Sequence, residues 1–334
     1  MKTPNYTILT VLFLMYLNNT RAQQLPQYSQ YMANGFLLNP ALAGIDELTD
    51  LKTGYRKQWT ALTDAPTTFY LTAHQPIATN ARPNRRKQTP RFAQTILTND
   101  DYNLANHFGV GTTIINDQTG PTGMLALGAT VSYHATMAND LKISIGTTLG
   151  ATQYSLNFDQ IRLANPQDPA VPQGKINLWK PDLQVGILIH KSQFYVSLSA
   201  HQLLGGSLAY ADKTPVLNKL SRHYFLAGGY RFPVSDRLVL MPSVLIKWSQ
   251  PVPMSVDLNL RANYDGRFWG GVSYRHRAAV AIMCGLVFNK FLNFSYAYDL
   301  PTSATFGGAA GGTHEVVLGL TINNRSSVKY PHFW

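Results

Sequence analysis

Between Val252 and Tyr264 the chain alternates without a break. Val252, Met254, Val256, Leu258, Leu260, Ala262 and Tyr264 share one side, and Ser255, Asp257, Asn259, Arg261 and Asn263 share the other. A period of two is the mark of a β-strand with one apolar and one polar face. The pattern recurs along the chain. Leu292, Phe294, Tyr296 and Tyr298 oppose Asn293, Ser295, Ala297 and Asp299, and Val316, Leu318, Leu320 and Ile322 oppose Glu315 and Thr321. Leu183, Val185, Ile187 and Ile189 oppose Asp182, Gln184 and His190, and Leu238, Leu240, Val244, Ile246 and Trp248 form a further apolar face. No stretch carries a convincing helical period. Strands are expected at 51–59, 67–76, 107–116, 122–135, 141–156, 181–190, 193–203, 221–232, 237–248, 252–264, 267–275, 278–288, 291–299 and 313–323. That is about fourteen, an even number within the range of outer-membrane barrels.

Alternation alone also fits a soluble sandwich, so the surroundings of the apolar faces decide. Most of these faces carry no charge. A Lys or Arg facing lipid at mid-membrane costs roughly 2–4 kcal/mol, so lipid outside explains the absence. Trp59, Tyr230, Phe232, Trp248, Tyr264, Tyr274 and Tyr298 fall near strand ends, where interfacial girdles need aromatics. Connection lengths give an independent test. If the start of the first strand is periplasmic, the periplasmic connections 136–140, 191–192, 233–236, 265–266 and 289–290 are all short. Asp265-Gly266 is itself a hairpin signature. The outward connections 157–180, 204–220 and 300–312 are long, although 249–251 and 276–277 are short. Short turns at one end and long loops at the other are a membrane-barrel feature.

Composition agrees. Charged residues make up 13% of the 334, against roughly 25% in a typical soluble domain. Mean hydropathy is nevertheless only −0.11. Ser, Thr, Asn, Gln, Tyr and Gly stand where charge is missing, as polar lumen faces require. Residues 1–22 read as a cleaved secretory signal, with Lys2, an apolar run from Tyr6 to Leu17, and Thr20-Arg21-Ala22 at the cut. The net charge of +11 would suit nucleic acid, but a secreted chain never meets it, so no nucleic-acid partner is expected. Cys284, the one cysteine, lies within a strand pattern and reads as a small apolar residue.

Four domain-level segments follow: the signal at 1–22, a polar and aromatic arm at 23–50, the barrel at 51–323 and a tail at 324–334. The arm has no clean period, yet Tyr28, Tyr31, Phe36, Leu37 and Leu38 are too dense for a disordered tail. It is expected as a periplasmic arm or as a plug. One connection breaks the length rule. Residues 77–106 form a long periplasmic insertion with Arg82, Arg85, Arg86, Lys87 and Arg91, read either as a solvated loop or as a contact for an acidic partner.

Several stretches together resemble one family. Gln27-Tyr28-Ser29-Gln30-Tyr31-Met32, followed by Asn39-Pro40-Ala41-Leu42-Ala43-Gly44, is similar to the mature start of PorP/SprF-type membrane proteins of the type IX secretion system. Tyr55-Arg56-Lys57-Gln58-Trp59, Ala65-Pro66-Thr67-Thr68 and Ala73-His74-Gln75-Pro76 resemble their first hairpin. Asn116-Asp117-Gln118-Thr119-Gly120-Pro121 resembles a loop motif, and Tyr296-Ala297-Tyr298-Asp299 with Gly312-Thr313-His314-Glu315 resembles the final hairpin. Tyr330-Pro331-His332-Phe333 resembles the family's ending, here with Trp334 added. The resemblance implies a barrel in the cell outer membrane of Bacteroidota-type bacteria. It implies work in secretion or cell-surface anchoring of cargo, among it gliding adhesins. Implied partners are outer-membrane lipid, a secreted protein with a C-terminal sorting domain, and a periplasmic lipoprotein or peptidoglycan-linked protein. The 77–106 insertion exceeds the family pattern, so no role is carried onto it.

Catalysis finds no foothold. There is no G-x-S-x-G, H-E-x-x-H or P-loop. His74, His134, His190, His201 and His314 lie in strand patterns or at their ends and read as lumen or rim groups. Residues 98–103 group acidic and amide oxygens without EF-hand spacing, and the glycine-rich 307–312 lacks a phosphate loop's context. No cofactor is expected. Lumen candidates are Lys247, Asp257, Asn259, Arg261, Asn263, Arg275 and Asp299, either pairing as structural fill or lining a solute path. A diffusion channel or transporter for small solutes is the competing reading.

Overall fold

The computed structural model describes residues 25–46, 48–77, 106–161, 173–208, 218–289, 291–302 and 311–322. The expected signal, nearly all of the basic insertion, the 98–103 group, most of the glycine-rich loop and the C-terminal tail lie outside those residues. Fourteen strands close one antiparallel ring. They are β1 (Thr49–Lys57), β2 (Thr67–Ile77), β3 (His107–Thr119), β4 (Thr122–Thr136), β5 (Lys142–Asn157), β6 (Lys175–His190) and β7 (Phe194–His201). The second half adds β8 (His223–Tyr230), β9 (Leu238–Ser249), β10 (Val252–Tyr264), β11 (Phe268–Arg275), β12 (Ala279–Val287), β13 (Leu292–Pro301) and β14 (Thr313–Ile322). Each pairs with its sequence neighbour, and β14 returns to β1 from Thr49↔Ile322 to Lys57↔His314. Closure leaves no sheet edge around the ring, as a barrel in lipid requires. A two-residue ladder, 207–208 with 218–219, sits in the β7–β8 connection.

The alternation points as the pattern demands. Leu258 and Leu260 are 54% and 43% exposed on the outside of β10, while Asp257 and Asn259 are 0% and 6% exposed inside. β14 alternates buried and exposed at every residue. The outer surface is therefore apolar and the lumen polar. Tyr230, Phe232, Tyr264 and Phe268 lie outside at the end where β1 begins, here the near end, and Trp248 and Tyr274 at the far end. Tyr230 and Phe232 rings stand 4.5 Å apart, Tyr224 and Trp248 5.3 Å apart. Two aromatic bands thus bracket an apolar belt. Trp59, expected in the first strand, instead follows it in a loop with φ of 51°.

The strands are unequal in length, and β6 departs furthest from expectation. β6 starts at Lys175 rather than at 181, because its pairing with β5 runs on to Asn157↔Lys175. β7 pairs only with Val185–His190 of β6. Pro181 therefore lies in a stretch of β6 laddered on one side only among the described residues, where a missing N–H is tolerated.

If lipid covers the outer belt, Leu258→Arg, midway along β10, should cost about 2–4 kcal/mol, whereas Met254→Arg near the far rim should cost about 0–1. Guanidinium unfolding of the barrel refolded into vesicles measures both. Equal costs would contradict a membrane at this belt.

Candidate functional site: the arm and the charged lumen

Residues 25–46 lie inside the ring. The arm runs from the far end to the near end before joining β1, as its partners show in order. Arg275, the last residue of β11, donates to the Tyr28 carbonyl at 3.4 Å. Tyr31 Oη donates to Asn259 Oδ1 at 3.0 Å, and Arg261 Nη1 donates to the Met32 carbonyl at 3.1 Å. Asn34 Nδ2 donates to Thr72 Oγ1 at 3.0 Å. Asn39 Nδ2 reaches Ser197 Oγ at 2.7 Å and the Ile187 carbonyl at 3.0 Å. Gly44 N donates to His74 Nδ1 at 3.2 Å, and the Gly44 carbonyl meets His107 Nε2 at 3.0 Å, at the first residue of β3.

Local chemistry shapes the arm into two short 3₁₀ turns, Gly35–Leu37 and Pro40–Leu42. Asn39 caps the second by accepting from Ala41 N at 2.8 Å, and Pro40 occupies the first position, where no N–H is needed. Gly44 then adopts φ of +63°, and a Cβ there would stand 2.5 Å from the Gln75 carbonyl oxygen. Only glycine fits. The wall accommodates the arm in turn: side chains at Gly109, Gly146 and Gly186 would collide with Ala43, Pro40 and Asn39 respectively.

The arm's far half closes a charged cluster. Glu315 is wholly buried and uses both oxygens fully. Oε2 accepts from Ser29 N at 2.6 Å and Arg56 Nη1 at 3.0 Å. Oε1 accepts from Tyr70 Oη at 3.0 Å and Gln30 N at 3.3 Å. Four donors saturate a carboxylate, and two of them are arm backbone. Asp299 Oδ2 accepts from Arg56 Nη2 and Arg275 Nη1, each at 3.0 Å, and from Ser29 Oγ at 2.6 Å. Ser29 Oγ also accepts from Arg56 Nη1. Lys247 Nζ pairs with Asp257 Oδ2 at 2.8 Å, and Arg275 Nε approaches the same oxygen at 3.8 Å. Three cations (Arg56, Lys247, Arg275) thus meet three carboxylates (Asp257, Asp299, Glu315), and the cluster is neutral.

The residues singled out from sequence fall into four groups. Ser29, Gln30, Arg56, Glu315, Asp299, Arg275, Lys247 and Asp257 converge on the cluster, with Tyr28 and Tyr31 beside it. Asn259, Arg261 and Asn263 continue down β10, and Arg261 lies 4.5 Å over the Trp269 ring. Asn39, Pro40 and Gly44 serve the arm's lower half. The remainder sit at the far rim: Gln58 N donates to the Pro66 carbonyl at 2.9 Å beside Ala65, and Gly120 N donates to the Asp64 carbonyl at 3.1 Å. Asp117 accepts from Thr68 Oγ1 at 2.5 Å, Asn116 is exposed, and the Pro121 carbonyl accepts from Asn157 N at 2.8 Å. Trp59 N donates to Thr313 Oγ1 at 3.2 Å. Gln27 is exposed near the far mouth. His314 points outward, its Nδ1 2.6 Å from Tyr296 Oη.

Sequence reasoning passed over Tyr70, Ser132, Ser199 and His107. Ser132 Oγ and His134 Nε2 meet the Ala43 carbonyl at 2.5 and 2.7 Å. Ser199 Oγ and His201 Nε2 meet the Leu38 carbonyl at 2.5 and 2.8 Å. The signal that could have found them is glycine at inward strand positions, which marks where another backbone comes close.

The model of a family described as type IX secretion system membrane protein PorP/SprF matches residues 20–320. No curated protein matches the sequence. Among solved structures, the Ralstonia pickettii toluene transporter TbuX is 11% identical over 86% of this chain and 92% of that one, with a TM-score of 0.49. The Pseudomonas putida toluene transporter TodX is 10% identical over 90% and 95%, with a TM-score of 0.47. The translocator domain of the autotransporter NalP from Neisseria meningitidis is 10% identical over 95% and 98%, with a TM-score of 0.41.

The cluster predicts a coupled loss. Glu315→Gln removes a buried charge and sets amide hydrogens against donors, at about 3–5 kcal/mol. Its guanidinium midpoint should fall, and chymotrypsin should cut at Tyr28, Tyr31 or Phe36 in the variant but not in the parent. Equal cutting of both would show that the cluster does not hold the arm.

Proposed function

We infer the role of this protein from one premise: the chain belongs to the PorP/SprF family of type IX secretion system membrane proteins. It is an outer-membrane β-barrel. Within that family we propose a non-enzymatic part in secretion or cell-surface anchoring of cargo proteins with a C-terminal sorting domain, gliding adhesins among them. Docking to a periplasmic lipoprotein or peptidoglycan-linked partner completes the proposal.

The observation that carries it is the filled lumen. The arm bonds to strands all round the ring, from β14 through β2 to β7 and β10. A barrel whose interior is occupied by its own chain is suited to holding a partner on its rims, and ill suited to free diffusion of solutes. The far rim supplies such a surface. There the β1–β2 loop is tied to the final hairpin by Thr60 N donating to the Gly312 carbonyl at 3.0 Å, and to the β3–β4 turn through Asp64. Asn116, Gly120 and Pro121 stand on that surface, and we propose them, with Gln58, Ala65 and Pro66, as partner contacts. His314 and the aromatic bands face lipid.

Planar bilayers separate this reading from the channel. The intact protein should give no stable single-channel steps, and a variant lacking residues 25–46 should give them. Steady steps from the intact protein would establish the channel instead. Co-purification of a secreted protein bearing a C-terminal sorting domain with the intact barrel is the positive result expected.

A further inference from the structure

A cavity of about 110 Å³ lies at the far end of the lumen, between the start of the arm and strands β8, β9 and β10. Tyr28, Phe225, Leu245 and Val252 give it mainly apolar walls. Two polar groups break them. Lys247 lines the cavity with its side chain 21% exposed, and only one of its three ammonium donors is engaged among the described residues, on Asp257. Ser249 lines it two residues further along the strand. It is 8% exposed, and its hydroxyl has no hydrogen-bond partner among the described residues.

A buried hydroxyl without a partner is rare in a finished fold, and it points to a ligand atom that would complete it. An ammonium and a hydroxyl side by side at the end of an apolar hollow form a head-group site. Both can donate, so the head accepts. The ammonium favours a negative one, because opposite charges attract more strongly at a buried site than across water. Lys247 pairs with Asp257 at 2.8 Å, with Arg275 Nε 3.8 Å from the same oxygen, and two of the three ammonium hydrogens remain to meet a head group. Size limits the rest. An apolar cavity of about 150 Å³ accepts benzene, so this one takes a tail of about four to six carbons.

We propose that this cavity binds a short-chain aliphatic carboxylate, with its tail among Phe225, Leu245 and Val252 and its carboxylate on Lys247 Nζ and Ser249 Oγ. The site is separate from the rim surface assigned to partners and stands whether or not the secretion role does.

Calorimetric titration of hexanoate into the full-length barrel in lipid nanodiscs, corrected against empty nanodiscs, tests it. Hexanoate should give saturable heat, and hexanamide should bind at least tenfold more weakly. Ser249→Leu, which fills the head-group end without touching the charged cluster, should abolish the heat. Lys247→Gln should weaken binding at least tenfold, with heat-modifiable gel migration confirming that both variants still form barrels. No saturable heat from hexanoate, equal binding of hexanamide, or unchanged binding in Ser249→Leu would each overturn the proposal.

Discussion

A carboxylate with no solvent exposure is costly unless its oxygens are hydrogen-bonded, and Glu315 sets that condition for this barrel. The wall alone meets half of it, through Arg56 and Tyr70. The arm meets the rest with the backbone of Ser29 and Gln30. Ser29 extends the dependence to Asp299, and Asp299 to Arg275. Each buried ion carries a desolvation penalty of several kcal/mol, which fixed hydrogen bonds must offset. Glu315 is thus fully partnered only with the arm in place, and the arm is held because Glu315 and Asp299 bind it.

The lower half of the arm is held by a different device. Serine and histidine side chains clasp backbone carbonyls: His134 and Ser132 at Ala43, His201 and Ser199 at Leu38, His107 at Gly44. Glycines in the wall let the backbones approach, and Gly44 turns the chain out of the lumen toward β1. The arm's own backbone bonds are short-range turns, from Ala33 N on the Gln30 carbonyl to Ile45 N on the Leu42 carbonyl. The barrel meets the Leu38, Ala43 and Gly44 carbonyls, since buried backbone must be paired. The function proposed for the protein follows the same logic, since a lumen spent on the chain's own arm leaves the rims for partners.

The barrel was legible in the sequence because lipid imposes a simple rule. One face of every strand must be apolar, so β10 and β14 announce their orientation through a period of two. Strand ends were less legible. Pro181 reads as the start of a strand but lies inside β6, because that stretch needs a ladder on one side only. Trp59 reads as strand but lies beyond β1 in a left-handed turn. The charged members of the site were visible as charges on a polar face. Pairing among them was one of the two readings of the lumen, but their link to Arg56 and Glu315 was not legible, because it depends on ring closure between β1 and β14, far apart in sequence. Tyr70, Ser132 and Ser199 were hidden for a plainer reason: Tyr, Ser and Thr are ordinary on a lumen face. The arm's course was hidden too, since its shape is imposed from outside and leaves no period in the sequence.

Hydrogen exchange across residues 25–46 of the membrane-embedded protein tests the central claim most directly. If the cluster and the barrel wall hold the arm, the Ser29 and Gln30 amides exchange as slowly as those of β1 and β14. Exchange of the arm at the rate of a free chain, with those strands still protected, would contradict it.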